Sequence, residues 1–407
     1  MIDLIRSLEI TVAGSSVGTL VRGQSGMESV FRYCEGVDAE NAVSLTMSAR
    51  MENYGWERGV HPIFEMNLPE GVLRDELIRR FGEAVRDFDA FALLAIVGSS
   101  QLGRLAVACE SVTDHQPETL LSDLLIHDGV HGLFDNLLHK HGQYSGVSGV
   151  QPKVLVRDGV TAALYPIHRG STHLVKAFRP EQYPELATNE YFCMRAALHS
   201  GLEVPKFELS EHGKFLIVER FDLNEKGYLG FEDFCVLNAW PSKAKYDGSY
   251  EGAAKQIKAF VSPPLLNQAL ESFFKIVALS SGLKNGDAHL KNFGVLYEDC
   301  GVDAPISLAP AYDIITTSVY IKTDSMALLL GGSKAWPKYK MLMRFGRSAC
   351  NLTEGRCNEL LQQVIHGMAV AMGEMGQYMK ANSAFAEVGE AMLEQWNEGM
   401  ARSLVKD

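Results

Sequence analysis

The chain has 407 residues, 46% hydrophobic and 22% charged, with a formal net charge of −12. That length allows two or three globular domains, and the acidity argues against a chain that grips nucleic acid by itself. Seven cysteines, with no Cys-x-x-Cys pair, argue against a disulfide framework or a cysteine zinc site and point to reducing, cytoplasmic surroundings.

In chain order, MIDLIRSLEI lacks a basic flank before a long apolar core, so no secretory signal is expected. Leu8, Ile10 and Val12, then Val17 and Leu20, alternate with polar positions around a Gly-Ser-Ser turn, which predicts strand-turn-strand. MNLPEGVL (66–73) reads as a broken loop, and Arg74–Phe88 as a helix with Leu77, Phe81 and Val85 on one face. Ala90 to Val97 is an apolar run of eight, too short for a bilayer, and suits a buried strand or helix. The polar stretch 110–120 marks the end of a first domain, 1–115. KVLV and TAALYPI flank Asp158-Gly159 and predict a hairpin, while THLVKAF and FLIVER predict further strands. Glu185–His199 reads as a helix ending before Gly201. Ser262-Pro263 opens a helix with a cap and an N1 proline that stops at Gly282, and 358–404 holds two amphipathic helices. A strand-rich piece, 116–221, followed by a helical piece, 222–407, predicts an α/β (α+β) chain with two lobes and a cleft.

The stretch NGDAHLKNFG (285–294) places Asp287 five residues before Asn292. Kinases use that spacing for a carboxylate that orients the incoming hydroxyl and an amide that binds magnesium. An Asx-type turn is the plain alternative. Asp313 in PAYDII follows an apolar stretch and stands where kinases place a second metal ligand, although the usual following glycine is missing. Lys176 sits inside an apolar strand, where lysines are seldom found unless paired or functional. Glu190 or Glu185 could pair with it, and an edge strand with Lys176 facing water is the alternative. Gly142, Gly146 and Gly149 could let backbone N–H groups approach phosphate. Glu219 and Phe221, at the exit of FLIVERFD, could present backbone groups to adenine. His127 and His131 have helical metal-ligand spacing, but Gly129 between them weakens the helix and no glutamate follows His127.

These segments resemble the HipA-type serine/threonine kinases, the toxin halves of bacterial toxin–antitoxin modules. SGVQPK (148–153) resembles the phosphate loop, THLVKAF the lysine strand, NEYFCM (189–194) the next helix and VERFD (218–222) the hinge. GDAHLKNF and PAYDI resemble the catalytic and metal-binding segments, and HPIFEMNLPEGVLR (61–74) the small N-terminal domain. The resemblance implies a protein-kinase-like fold with a small strand-rich N-terminal domain and a large helical C-terminal lobe. It implies ATP and Mg2+ as cofactors, Asp287 as catalytic residue, and Asn292 and Asp313 as metal ligands. ATP would be held by Ser148, Gly149, Val150, Gln151, Lys153, Lys176, Glu219, Phe221, His289 and Lys291. It also implies a small helix-turn-helix antitoxin as partner, DNA contact only through that antitoxin, and a protein substrate such as an aminoacyl-tRNA synthetase. Where relatives often carry an inhibitory autophosphorylation serine this chain has Gly146, so Ser148 is the expected phosphosite and Ser145 the alternative. A small-molecule kinase of the aminoglycoside or choline type shares Asp-x4-Asn, and a nucleotide-binding corepressor without turnover is a further alternative.

Overall fold

The computed structural model describes residues 5–23, 28–83, 88–107, 116–164 and 170–406. The chain forms two compact units, one of Met1–Ala177, Ile217–Ser242 and Val295–Pro305, the other of Phe178–Leu216, Lys243–Gly294 and Ile306–Asp407. The domain boundary expected at 115 falls on residues 108–115, outside the described residues.

The first unit opens with strands β1 (Ser7–Val12), β2 (Ser15–Arg22), β3 (Ser29–Tyr33) and β4 (Tyr54–Trp56). With β5 (Leu105–Val107) they make an antiparallel sheet in the order β4-β3-β2-β1-β5. The alternation that predicted β1 and β2 puts Leu8, Ile10, Val12, Val17 and Leu20 in the core. Helix α1 spans Gly71–Phe81, so it starts three residues before the expected Arg74 and stops earlier than Phe88. Gly71, at φ +51°, turns the chain into the helix. Val85 lies outside the described residues. The apolar run is helix α2 (Ala90–Val97), because the Asp89 carboxylate accepts from the N–H groups of Phe91 and Ala92 and caps it. Helix α3 covers Leu133–His141. His127 ends the short helix Leu121–Ile126, so His127 and His131 do not share a helix.

The expected hairpin at Asp158-Gly159 does not form. Strand β6 (Lys153–Val156) leads instead into helix α4 (Gly159–Leu164). Asp158 explains the difference, since its carboxylate accepts from Thr161 N (2.8 Å) and Oγ1 (2.8 Å) and so caps a helix rather than shaping a hairpin turn. The partner of β6 is β7 (His173–Lys176), antiparallel, with Lys153 opposite Lys176 and Val154 opposite Val175. On the other side of β7 lies β8 (Leu216–Glu219). Strands β9 (Gly230–Asp233) and β10 (Gly294–Tyr297) pair with each other, and Gly230 leaves room for the Tyr297 ring.

The second unit is built on helices α5 (Leu186–His199), α6 (Pro263–Gly282), α7 (Glu354–Ala381) and α8 (Ala386–Gly399). Prolines occupy the first turn of α6 as expected, but Ser262 does not cap it. Its hydroxyl accepts from Ile306 N (2.9 Å) instead. Arg195 of α5 donates to Glu374 of α7 through Nε (2.8 Å) and Nη2 (2.5 Å). Trp396 of α8 is fully buried and donates from Nε1 to Thr316 Oγ1 (2.7 Å). Asn189 of α5 grips the backbone of the same Thr316, donating to its carbonyl (3.1 Å) and accepting from its N–H (2.9 Å). Two helices thereby brace the segment that follows Asp313. No helix among the described residues is long and apolar enough to cross a membrane.

Candidate active site

In the second unit, α6 ends at Gly282 and Lys284, at φ +55°, turns the chain out of the helix. Asn285 then forms a local turn, its Oδ1 accepting from Asp287 N (3.0 Å). A single turn of tight helix, Leu290–Asn292, follows. Leu290 N donates to Lys245 O (3.1 Å), pinning the loop to the segment before it.

The turn leaves Asn292 aimed at Asp313. Asn292 Nδ2 donates to Asp313 Oδ2 (3.0 Å) and to Asp313 O (3.3 Å). Asn292 Oδ1 is buried and accepts no hydrogen bond among the described residues. A buried carbonyl oxygen without a donor is unfavourable. A cation beside it removes that cost, and an amide oxygen next to a carboxylate is the donor set a hard cation such as Mg2+ takes. Asp313 holds φ +57°, a conformation rare outside glycine but tolerated by Asp and Asn. Tyr312 donates its hydroxyl to Lys291 O (2.7 Å), tying the two loops together.

Asp287 lies five residues before Asn292 with its side chain 38% exposed, open to an incoming hydroxyl. The Tyr246 hydroxyl donates to Asp287 Oδ1 at 2.5 Å. His289 is buried, with Nε2 4.0 Å from the same oxygen. Burial, helped by the nearby Lys245 charge, lowers the His289 pKa to about 4, so the ring is neutral at physiological pH. Gly286 is a spatial necessity, since a Cβ there would lie 2.2 Å from Asp324 Oδ1. Its N–H donates to Thr317 Oγ1 (2.6 Å), and Thr317 also hydrogen-bonds Asp324. Burial raises the pKa of Asp324, against hydrogen bonds from Thr317 and Ser325 N.

In the first unit, Lys153 and Lys176 face each other across β6 and β7 and are only 5% and 4% exposed. Opposed like charges on one face of a sheet are unfavourable unless an acidic group or an anion offsets them. Lys153 Nζ donates to Ser148 O (3.2 Å). Gly149 has φ +118°, and a Cβ there would come within 2.3 Å of that ammonium. Gln151 Nε2 is buried without a hydrogen-bond acceptor among the described residues, and Val150 is exposed. Ser148 is half-buried and donates to Glu70 Oε1 (3.0 Å). Ser145 is fully buried, its hydroxyl donating to His141 O (2.9 Å) and accepting from Leu155 N (2.8 Å). Ser145 is thus shut into the core, whereas the Ser148 hydroxyl lies at the half-buried end of the loop.

At the end of β8, Glu219 and Phe221 flank a residue that the motif reading passed over. Arg220 is buried with Asp222, both side chains 2% exposed. Its guanidinium donates to Asp222 (2.9 and 2.6 Å), Ser171 Oγ (2.8 Å) and Gln101 O (3.0 Å), and Asp222 also accepts from Gly103 N (2.6 Å). This fork fixes the connector on which Glu219 and Phe221 sit. Of the proposed partners for Lys176, Glu185 lies 3.7 Å from Lys214, and Glu190 is buried in α5.

Residues 145–372, more than half the chain, match the HipA-like C-terminal domain. The chain belongs to the HipA family. Residues 8–108 match the HipA N-terminal domain. Among curated relatives, "Putative kinase Y4dM" of Sinorhizobium fredii is 27% identical over 79% of this chain and 80% of its own length. "Putative kinase Y4mE" of the same organism is 29% identical over 80% of this chain and 81% of its own length. The "Serine/threonine-protein kinase toxin HipA" of Shewanella oneidensis is 26% identical over 62% of each chain. A solved complex of HipA, HipB and operator DNA from Shewanella oneidensis superimposes with a TM-score of 0.70, at 17% identity and 97% coverage of both chains. That likeness establishes the HipA kinase-like fold. The expected family and fold are therefore those of the HipA proteins, and the names of the curated relatives support the expected kinase activity in general.

Proposed function

We propose that this HipA-family member is a cytoplasmic ATP- and Mg2+-dependent protein serine/threonine kinase that acts as a bacterial toxin. The observation that carries the reading is the Asn292–Asp313 pair, with one buried amide oxygen left for a cation in the loop that also bears Asp287. Asn292 Oδ1 and the Asp313 carboxylate would hold Mg2+, which would neutralise charge on the transferring phosphoryl group. Lys153 and Lys176 bind phosphate oxygens, and Glu219 and Phe221 offer backbone groups to adenine. Asp287 orients a serine or threonine hydroxyl and accepts its proton as the hydroxyl oxygen bonds to the γ-phosphorus and the bond to ADP breaks. His289, neutral and buried, shapes the loop rather than carrying charge.

Three finer points belong to this reading. The partner is a small helix-turn-helix antitoxin, supported by the HipB and operator DNA that accompany the solved relative, and with a net charge of −12 the chain reaches DNA only through it. The substrate is a translation-related protein such as an aminoacyl-tRNA synthetase. Ser148 is the autophosphorylation site, because its hydroxyl is half-buried whereas Ser145 is fully buried. A phosphate there brings about −1.5 to −2 charges against Glu70, replacing a hydrogen bond by repulsion.

Incubation with γ-labelled ATP and a cell lysate tests the kinase reading. Label appears on protein, and label confined to an aminoglycoside or choline, or ATP binding without turnover, contradicts it. Ser148→Ala abolishes self-labelling in phosphosite mapping while Ser145→Ala retains it. Gly286→Ala pushes the catalytic loop away from Asp324 and lowers kcat by about 10²-fold, the order expected of a 1 Å misplacement. Steady-state rates with labelled ATP check this.

A further inference from the structure

Tyr246 belongs to no recognised motif, yet its hydroxyl makes a 2.5 Å hydrogen bond to the carboxylate in the catalytic loop. The tyrosine is itself held from several sides. Its carbonyl accepts from Lys334 Nζ (3.0 Å). The carbonyl of the preceding Lys245 accepts from Leu290 N (3.1 Å) inside the catalytic loop. The ring meets His289 edge-on, with centroids 5.0 Å apart, and Lys245 Nζ lies 5.5 Å from the ring centre. The two carbonyl contacts fix the backbone of this segment and His289 flanks the ring, so the 38% exposed phenol is presented to the carboxylate from a held base. A hydrogen bond from a held donor narrows the rotamers of a partly exposed aspartate toward one that presents an oxygen to the hydroxyl it must deprotonate.

We propose that Tyr246 is the positioning residue for Asp287: its hydroxyl holds Oδ1 and thereby fixes the orientation of the carboxylate that receives the substrate proton. The proposal rests on the kinase reading above. The anchor comes from a segment about forty residues upstream, so the structure assigns the segment around Tyr246 to the catalytic apparatus, not to a linker. A carboxylate with one oxygen committed to a fixed donor is held in place without losing its charge, since a phenol donates and does not neutralise.

Tyr246→Phe removes the hydroxyl and keeps the ring against His289. It lowers kcat for phosphotransfer at least 10-fold, while KM for ATP and the Mg2+ concentration giving half-maximal rate stay within about 2-fold of wild type. A crystal structure of Tyr246→Phe shows the Asp287 carboxylate spread over more than one rotamer, with Asn292 and Asp313 undisturbed. An unchanged or raised kcat, or a loss shared equally by Mg2+ and ATP affinity, overturns the proposal. A single unshifted Asp287 rotamer in the variant overturns it as well. Failure of the kinase reading is distinguishable, because then wild type itself shows no turnover.

Discussion

Asp313→Ala reduces phosphate incorporation from ATP by about 10³-fold, and Asp287→Ala does the same by a different route. Asp313 accepts from Asn292 Nδ2 on one oxygen and, in the proposed site, would complete the cation's donor set, so its loss would remove charge neutralisation at the phosphoryl group. Alanine is also strained at φ +57°. Asp313→Asn separates the two causes, because asparagine tolerates that backbone and keeps the side-chain shape while surrendering the charge. It is as inactive as Asp313→Ala. Asp287→Ala leaves ATP and Mg2+ binding intact and removes the acceptor for the hydroxyl proton. Melting temperatures of Asp287→Ala and Asp313→Asn stay close to wild type, since neither carboxylate is in the core, while Asp313→Ala melts lower because of its strained backbone. Near wild-type turnover in either alanine variant would show these roles to be misassigned.

The second large effect concerns stability. Arg220→Ala leaves Asp222 buried with its main partner gone, and removing one member of such a pair costs about 3–5 kcal/mol. A urea titration reads this as a lower unfolding midpoint. The double replacement Arg220→Met with Asp222→Leu recovers most of the loss, because a buried ion pair and a well-packed apolar pair differ little in net stability. ATP affinity in the single variant falls too, since the fork holds the connector bearing Glu219 and Phe221. A single variant as stable as wild type would mean that water reaches Asp222 and solvates it.

Much of the catalytic loop could be read directly because its chemistry is local. Asp287 and Asn292 are separated by a fixed short spacing, and Asn285 closes the turn between helix and loop from within the same stretch. The apolar segment before it singled out Asp313, which the structure places against Asn292. The same holds for the strands around Lys176, whose alternation and length sufficed, and for the long helices in the second half. The errors have local causes that the sequence contained but did not rank. Asp158-Gly159 looks like a hairpin turn, yet the Asp158 carboxylate captures Thr161 and starts a helix. The run 90–97 suited strand or helix equally until Asp89 is seen to cap it.

The residues that sequence reading missed act through distant contacts. Tyr246 reaches Asp287, Thr317 and Asp324 hold Gly286, Trp396 braces Thr316, and Glu70 takes the Ser148 hydroxyl. No spacing rule joins 70 to 148 or 316 to 396, because each pair is brought together only by packing. Arg220 and Asp222 stood inside a quoted motif, but their burial, which makes them structural, is invisible without the partners Ser171, Gln101 and Gly103.

The central claim is that Asn292 and Asp313 hold the cation through which ATP is bound for transfer. Isothermal titration of ATP into the full chain, with Mg2+ and then with excess chelator, tests it most directly when repeated on Asn292→Leu. Wild type gives a strong Mg2+-dependent heat that the chelator removes, and Asn292→Leu loses that dependence while its melting temperature is kept. Equal heats with and without Mg2+, or an Asn292→Leu isotherm matching wild type, would contradict the claim.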